Sequence, residues 1–280
     1  MSKIIDGKKI SLKIKDELKM EVEKLKVKPK LVVISVGDNP ASKVYVGQKE
    51  KAANYIGIDY LHEHYDSISD DNLVKEIEKL NKDKSVDGII VQLPLPDGMD
   101  EKRIVNTISC DKDVDGLTYL NAGLLINNKE TLASCTPKGI MKLLEHEKVK
   151  IEGANAVVVG RSILVGKPIA NLLLNANATV TICHSKTKDL SKITKKADIL
   201  IAAIGKKHFI TRDMVRRGSV VIDVGINRVD GKLYGDVDYD NVYDKVSKIT
   251  PVPGGVGPMT VVMLMENVLL AYKNHHKENI

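Results

Sequence analysis

Two side chains in the first part of the chain combine types and spacing that suit proton transfer. Tyr45 and Lys49 are four residues apart, so a helix would place them on one face. Gln92 follows an apolar run, where a buried amide needs hydrogen-bond partners or a ligand. Burial disfavours the charged form of a lysine and hydrogen bonds hold it in place, so Lys49 is a candidate acid–base catalyst. The alternative is a half-buried tyrosine beside a solvated lysine.

A strand, a tight turn and the start of a helix follow one another at residues 156–168. A Rossmann unit binds the pyrophosphate of a dinucleotide at such a turn, on backbone N–H groups of the helix N-terminus. The usual glycine fingerprint is incomplete, because Gly160 and Gly166 are six residues apart and Ser162 stands where the second glycine would be. An ordinary strand–helix turn is the alternative interpretation.

The next strand bears on the choice between NAD and NADP. NAD-specific folds usually end this strand in an acid that binds the ribose 2′-OH. Here it is followed by His184, Ser185 and Lys186, and Arg161 lies in the preceding turn. A hydroxyl and cations bind a 2′-phosphate that an acid would repel, so NADP is favoured over NAD. A polar loop with incidental lysines is the alternative.

The elements that must position these residues alternate between helix and strand. Helices are predicted at residues 9–26, 41–56, 70–81, 137–148, 166–176, 188–196, 211–217, 239–246 and 259–273. Strands are predicted at 31–36, 58–65, 87–91, 156–159, 179–183, 198–203 and 220–224. Thr136 is the predicted N-cap of its helix, and loops are expected at 94–121 and 250–258. Alternation of this kind predicts parallel sheets.

A length of 280 residues suggests two domains. We expect an N-terminal α/β substrate domain at 1–120 and a Rossmann-type dinucleotide-binding domain with a parallel sheet at 121–258. The last helix, within 259–280, is expected to pack back on the first domain. Gly205 and Gly225 follow strands of the second domain, where glycine lets a ligand approach the backbone.

The composition argues against several classes of protein. The net charge of +6 is interspersed along the chain, which favours a mildly basic surface over a nucleic-acid interface. Three widely spaced cysteines predict neither a metal site nor a disulfide scaffold and fit a reducing compartment. The start of the chain lacks the apolar core of a signal peptide, and no apolar run is long enough to span a membrane. We therefore expect a cytoplasmic protein.

Five segments carry a resemblance to a known family, and they lie in order at residues 36–49, 88–96, 112–116, 160–162 and 251–260. They include a Tyr-x-x-x-Lys motif, a Gln-Leu-Pro-Leu-Pro motif and a Pro-Gly-Gly-Val-Gly-Pro motif, and the fragment 112–116 holds two carboxylates. Together they resemble the bifunctional methylenetetrahydrofolate dehydrogenase/methenyltetrahydrofolate cyclohydrolase family over essentially the whole chain. The order and spacing of these motifs are highly specific.

The resemblance implies that NADP⁺ removes a hydride from 5,10-methylenetetrahydrofolate and that water opens the methenyl product to 10-formyltetrahydrofolate. It assigns Lys49 as the catalytic lysine, needed above all for hydrolysis. Tyr45 would stack on the folate, Gln92 would tune the lysine, Asp115 would bind the pterin N–H groups, and Ser42 would line the same pocket. Such a protein works on tetrahydrofolate one-carbon derivatives, in one-carbon metabolism and purine biosynthesis, and is usually a homodimer.

The remaining site residues are expected on the same grounds. Arg161 and Ser185 match contacts to the 2′-phosphate. Further substrate contacts are expected from Pro253, Gly254 and Gly255. Further cofactor contacts are expected from Gly160, Ser162, Val165, Gly166, His184, Gly205, Gly225 and Ile226. No metal is implied, and a cis bond at Val252–Pro253 is one option for the proline-rich loop.

Three other interpretations compete with this one. A short-chain dehydrogenase also uses Tyr-x-x-x-Lys, but there the motif follows the dinucleotide turn, whereas here it precedes it by more than 100 residues. A protein resembling shikimate dehydrogenase explains the domain order but not the proline-rich motifs. A dinucleotide-sensing module predicts binding without turnover. Departures from the family pattern, at Lys206–Lys207, Cys110 and Ser134, concern loops.

Overall fold

Apolar runs of the sequence form two parallel sheets, seen in a computed structural model that describes residues 3–129 and 131–276. The outermost residues of the expected domains, 1–2 and 277–280, lie outside the described residues. The chain divides into two units. The N-terminal unit comprises Lys13–Cys135 and Val261–Ile280, and the C-terminal unit comprises Met1–Leu12 and Thr136–Thr260. The functional borders expected after residue 120 and before residue 259 stay a prediction.

The N-terminal unit is built on a three-stranded sheet. Its strands are β1 (Lys30–Val36), β2 (Asp59–Tyr65) and β3 (Gly88–Val91), all parallel in the order β2-β1-β3. The helices in this part of the chain are α1 (Gly7–Glu23), α2 (Pro40–Ile56), α3 (Asp70–Lys82), α4 (Glu101–Val105) and α5 (Tyr119–Ile126). Strands β1 and β3 are buried along almost their whole length, as their apolar sequences require.

Helix α2 carries the candidate catalytic residues, and local sequence fixes both of its ends. Asn39 caps the start, because its side chain accepts hydrogen bonds from the amides of Ala41 at 2.9 Å and Ser42 at 3.2 Å. Pro40 follows at the first helical position, where its missing N–H costs nothing. Gly57 ends the helix in the left-handed conformation at φ 91°.

The C-terminal unit holds a five-stranded parallel sheet. Its strands and those of one hairpin are β4 (Asn155–Val159), β5 (Thr179–Cys183), β6 (Ile199–Ala202), β7 (Val220–Asp223), β8 (Asn227–Val229), β9 (Lys232–Tyr234) and β10 (Lys248–Ile249). The helices are α6 (Cys135–His146), α7 (Gly166–Asn175), α8 (Leu190–Thr194), α9 (Tyr239–Val242) and α10 (Val256–His275). The sheet order is β10-β7-β6-β4-β5, and β8 and β9 form the antiparallel hairpin.

This strand order creates a switch point between β4 and β6, since the chain runs from β4 to β5 on one side and then returns to β6 on the other. In open α/β sheets, ligands bind at the carboxyl ends of the strands that flank such a point. Gly160 follows β4, and the segment 203–205 follows β6. The expected dinucleotide residues therefore lie at the edge where the fold favours a ligand.

Several elements differ from their predictions. The expected loop at 94–121 contains α4 and the start of α5, each capped by a polar side chain, Asp100 and Thr118. The helix predicted at 211–217 is only a 3-10 turn over Arg212–Met214, because Val215 is extended and buried in the core.

The starts of two helices were also wrong in detail. Thr136 is not the N-cap of α6, which begins at Cys135; its hydroxyl instead bonds the hydroxyl of Thr260 at 2.8 Å. Helix α10 begins at Val256 within the expected loop, and Pro258 fits in its first turn. No helix in the described stretches is long and apolar enough to cross a membrane.

Candidate active site and cofactor site

The side chains of Lys49 and Gln92 meet within the N-terminal unit. Lys49 Nζ donates to Gln92 Oε1 at 3.0 Å, and Gln92 Nε2 donates to the carbonyl of Leu93 at 2.7 Å. The second bond fixes the amide so that its oxygen faces the lysine. Gln92 is only 8% exposed, so its amide has few alternative partners. The buried amide of Gln92 therefore fixes the position of the Lys49 amine.

Helix α2 aligns two further polar residues with Lys49. Ser42, Tyr45 and Lys49 are three and four residues apart, so they lie along one face of the helix. Ser42 is buried, and its Oγ is the one buried side-chain polar atom with no hydrogen-bond partner within residues 3–129 and 131–276. Tyr45 is 45% exposed, which leaves its ring available for stacking. An unsatisfied buried hydroxyl about one helical turn from an exposed aromatic ring indicates a place for a ligand.

The two carboxylates of the 112–116 segment have different surroundings. Asp113 is 1% exposed and accepts hydrogen bonds from the amides of Gly116, Leu117 and Thr118 at 3.0, 3.2 and 2.8 Å. Burial raises the pKa of Asp113, although these bonds oppose the shift. Asp115 is half-buried and, in the described part of the chain, shows no side-chain hydrogen bond or ion pair. Asp113 therefore shapes the loop, whereas the oxygens of Asp115 are not committed to any other described residue.

Close backbone contacts explain the glycines of the turn between β4 and α7. Gly160 has φ 133°, and a Cβ there would lie against the carbonyl of Ala203, the residue that follows β6. A Cβ on Gly166 would lie 2.6 Å from the carbonyl carbon of Gly160. Ser162 closes the turn, since its Oγ accepts from the amides of Val165 at 3.2 Å and Gly166 at 3.3 Å. The turn is a backbone cradle that side chains would fill, as a bound pyrophosphate requires.

The loop after β5 presents donors without a competing acid. Arg161 and Ser185 are exposed, and the amide of His184 donates to Thr187 Oγ1 at 2.8 Å. The first acid of this loop, Asp189, is in an ion pair with Lys192 at 2.8 Å. Within residues 3–129 and 131–276, no carboxylate at the strand end therefore neutralises the cations of the loop.

Two buried acids that were not predicted as site residues lie beside Gly205 and Gly225. Asp223 ends β7, and Asp236 follows the hairpin. Both are buried and accept backbone N–H groups of the glycine-containing loops. Burial raises the pKa of Asp223 to about 7, against the opposing effect of its amide donors. The available sequence signal was an acid at the end of an apolar strand, a position that needs partners.

Ile226 and the proline-rich loop belong to the same C-terminal unit. Ile226 is 54% exposed although it is apolar, and a Cβ on Gly257 would contact its side chain. The Val252–Pro253 bond is cis, as is Leu93–Pro94, which was not foreseen. Gly254 has φ 106° and accepts from the amide of Lys8 at 3.0 Å.

Among the described residues, no group of three or more His, Cys, Asp or Glu side chains has the arrangement of a metal site. The three cysteines are free thiols, and two of them, Cys135 and Cys183, are buried.

Fold and geometry together define a class of protein: an α/β enzyme that pairs a lysine–amide site with a Rossmann-type dinucleotide unit. Two family models match the chain, the catalytic domain of tetrahydrofolate dehydrogenase/cyclohydrolase at residues 5–115 and its NAD(P)-binding domain at residues 134–276. The chain therefore belongs to the tetrahydrofolate dehydrogenase/cyclohydrolase family. The family and the two-domain α/β fold predicted from the sequence are confirmed.

Known relatives are similar over their full length. The Campylobacter hominis protein named "Bifunctional protein FolD" is 53% identical, with 98% of each chain covered. The structure of the Campylobacter jejuni enzyme FolD, a methylenetetrahydrofolate dehydrogenase/cyclohydrolase, has a TM-score of 0.95 at 49% identity, covering 97% of this chain and 98% of that one. A Trypanosoma brucei FolD structure complexed with NADP and an inhibitor has a TM-score of 0.91 at 35% identity, covering 97% of both chains.

Proposed function

We propose that the protein oxidises 5,10-methylenetetrahydrofolate with NADP⁺ and hydrolyses the methenyl product to 10-formyltetrahydrofolate. The observation that carries the proposal is the hydrogen bond between Lys49 Nζ and Gln92 Oε1 at 3.0 Å. Lys49 lies on helix α2, where the buried hydroxyl of Ser42 has no partner among the described residues. Family membership and the full-length similarity to FolD proteins support the same activity.

Hydrolysis is the step that needs a proton-transferring side chain. Water adds to the methenyl carbon, the ring C–N bond opens, and one proton is released in forming the N10-formyl group. We assign this proton to Lys49. The hydrogen bond from its Nζ to Gln92 Oε1, which keeps the amine in a fixed direction, supports the assignment. This assignment makes Lys49 and Gln92 the catalytic pair, with Tyr45 packing on the folate ring.

Oxidation needs no acid–base side chain of this kind. The reacting carbon lies between two nitrogens, which stabilise the cation that remains, so no strong base is required. The dinucleotide, when bound, accepts the hydride. Gly160, Ser162 and Gly166 would hold its pyrophosphate in the backbone cradle, while Val165, His184, Gly205, Gly225 and Ile226 would line the rest of its site.

The carboxylate of Asp115 is the proposed anchor for the folate. The amino and ring N–H groups of a pterin form a donor edge that a carboxylate accepts well. Asp115 has its oxygens unused in the described structure, whereas those of Asp113 are committed to the loop backbone. Ser42 would complete the pocket, and Pro253, Gly254 and Gly255 are proposed as further substrate contacts.

NADP is the proposed cofactor, with NAD less favoured. Arg161 and Ser185 are exposed donors at the strand end where an NAD-binding fold would carry an acid. The T. brucei relative was solved with NADP, which supports the same choice. We further propose a homodimer acting in the cytoplasm, in the one-carbon metabolism that serves purine biosynthesis, with 1–120 and 259–280 as the folate domain and 121–258 as the cofactor domain.

An absorbance assay tests the proposal. The protein is given methylenetetrahydrofolate with NADP⁺ or NAD⁺, and both NADPH and the methenyl intermediate are followed. Formation of NADPH, with the methenyl signal rising and then decaying faster than its spontaneous hydrolysis, is the expected result. Nucleotide binding without turnover would favour the dinucleotide-sensing module instead.

A further inference from the structure

Two buried carboxylates of the C-terminal unit, Asp223 and Asp236, have no part in the chemistry described above. Asp236 is fully buried and Asp223 nearly so. A buried carboxylate is costly unless its oxygens are hydrogen-bonded, so the donors it collects indicate its role.

Asp236 binds the loop that follows β6. Its Oδ2 accepts from the amides of Ile204 at 2.6 Å and Gly205 at 3.0 Å, and its Oδ1 accepts from the amide of Lys206 at 2.8 Å. The same Oδ1 accepts from Asn227 Nδ2 at 2.9 Å. One side chain thus ties the loop after β6 to the segment after β7, at the carboxyl edge of the sheet.

Asp223 in turn holds the backbone around Asp236 through its own hydrogen bonds. Its Oδ1 accepts from the amides of Gly225 at 3.0 Å and Asp236 at 2.9 Å, and its Oδ2 accepts from the amide of Val237 at 2.9 Å. Asp223 therefore fixes the backbone of Asp236 itself and the turn at Gly225.

The glycines confirm how closely the loops rest on the two acids. A Cβ on Gly225 would lie 2.5 Å from the amide nitrogen of Asp236 and closer still to its carboxylate. A Cβ on Gly235 would meet the carboxylate of Asp223. No side chain can be interposed, so the shape of both loops depends directly on the acids.

We propose that Asp236, supported by Asp223, is the positioning residue of the dinucleotide site, holding residues 204–206 and 224–227 in the shape that the cofactor binds. This inference rests on the proposed function. Hydration of the methenyl cation moves no electrons and needs no dinucleotide. The dehydrogenase activity should therefore depend on the pair of acids, and the cyclohydrolase activity should not.

The substitution Asp236→Asn tests the proposal. Each carboxylate oxygen accepts two donors, so whichever oxygen becomes an amino group faces two N–H groups that it cannot accept. The dissociation constant of NADPH, measured by its fluorescence, and the KM for NADP⁺ should rise about tenfold or more. Hydrolysis of methenyltetrahydrofolate should keep the wild-type kcat and KM.

Asp198→Asn is the matched control, because Asp198 lies just before β6 at the opposite edge of the same sheet. It accepts from the amide of Asn155 at 2.9 Å and makes an ion pair with Arg216. This variant should lose stability and keep the wild-type affinity for NADPH. Should Asp236→Asn not fold, Asn227→Ala removes a single donor to Asp236 and should raise the same dissociation constant by a smaller factor.

Unchanged NADPH affinity in the folded variant would overturn the proposal, and so would a parallel loss of both activities. A wild-type protein that binds NADPH but turns over no folate contradicts the proposed function instead. The comparison of NADPH affinities still decides the role of Asp236 in that case.

Discussion

At the scale of the residue, the candidate site depends on which polar atoms are already committed. The amino group of Gln92 donates to the backbone carbonyl of Leu93, and its oxygen accepts from Lys49. Both oxygens of Asp113 accept hydrogen bonds from its own loop, whereas Asp115 shows no side-chain hydrogen bond within residues 3–129 and 131–276. Residue type alone does not distinguish the roles of Asp113 and Asp115, but their hydrogen bonds do.

We expect Asp115→Asn to affect folate binding and Asp113→Asn to affect stability. Asp115→Asn should raise the KM for the folate about tenfold and leave the free energy of unfolding unchanged, because only a charge-assisted ligand contact is lost. Asp113→Asn should lower the free energy of unfolding by about 1–3 kcal/mol, because buried amides lose their acceptor. Steady-state kinetics and urea unfolding of both variants measure this, and a stability loss confined to Asp115→Asn would reverse the assignment.

Arg161 should act on the choice of cofactor. Removing this exposed guanidinium next to the expected 2′-phosphate costs NADP⁺ a charge-assisted contact of about 1.5–3 kcal/mol, whereas NAD⁺ has no such group. Arg161→Ala should therefore weaken NADP⁺ about tenfold or more and weaken NAD⁺ little, as measured by the KM for each. An equal loss for both cofactors would count against a 2′-phosphate role.

At the scale of the element, the turn between β4 and α7 is the least tolerant part of the cofactor site. A Cβ on Gly166 would press on the Gly160 carbonyl and the amide of Arg161 at 2.7 Å. Gly166→Ala should cost about 1–3 kcal/mol of unfolding free energy and most of the NADPH affinity. In contrast, Gly123→Ala in α5, where a Cβ meets nothing within 4 Å, should stabilise the protein by up to about 1 kcal/mol. Thermal unfolding and NADPH titration compare the two variants. Wild-type stability and NADPH affinity in Gly166→Ala would contradict a backbone cradle at this turn.

The elements themselves were largely predictable, since buried strands are short apolar runs. The strand predicted at 179–183 has the bounds of β5, and the helix predicted at 41–56 differs from α2 by one residue. The 3-10 turn at Arg212–Met214 was not foreseen, because helical periodicity there conflicts with burial of Val215 in extended form. The hairpin of β8 and β9 has a local sequence signal in Asp230–Gly231, a pair that favours a tight turn and in which both residues have positive φ.

At the scale of the whole molecule, the two proposed reactions place different demands on the two units. The Lys49–Gln92 pair lies in the N-terminal unit and the glycine turn in the C-terminal unit. Sequence motifs pointed to the residues of both. They could not reveal the hydrogen bonds of Asp236, because these join backbone segments some thirty residues apart in the chain.

The stability of the molecule should depend on pH through Asp223. Its folded pKa of about 7 lies above the usual 3.8, so between these values the folded state keeps a proton that the unfolded chain has released. The free energy of unfolding contributed by this group is therefore present at low pH and falls as pH rises toward 7. Urea unfolding across this window should show wild-type stability declining relative to Asp223→Asn. Parallel profiles for the two proteins would contradict the expectation.

Proton transfer by Lys49 is the step on which the proposed hydrolysis of methenyltetrahydrofolate depends. The most direct measurement is the decay of methenyl absorbance with Lys49→Met, beside Lys51→Met as a control for an exposed lysine on the same helix. The enzymatic rate should fall by about 100-fold or more with Lys49→Met and stay at the wild-type value with Lys51→Met. Hydrolysis by Lys49→Met at the wild-type rate, above the spontaneous background, would contradict it.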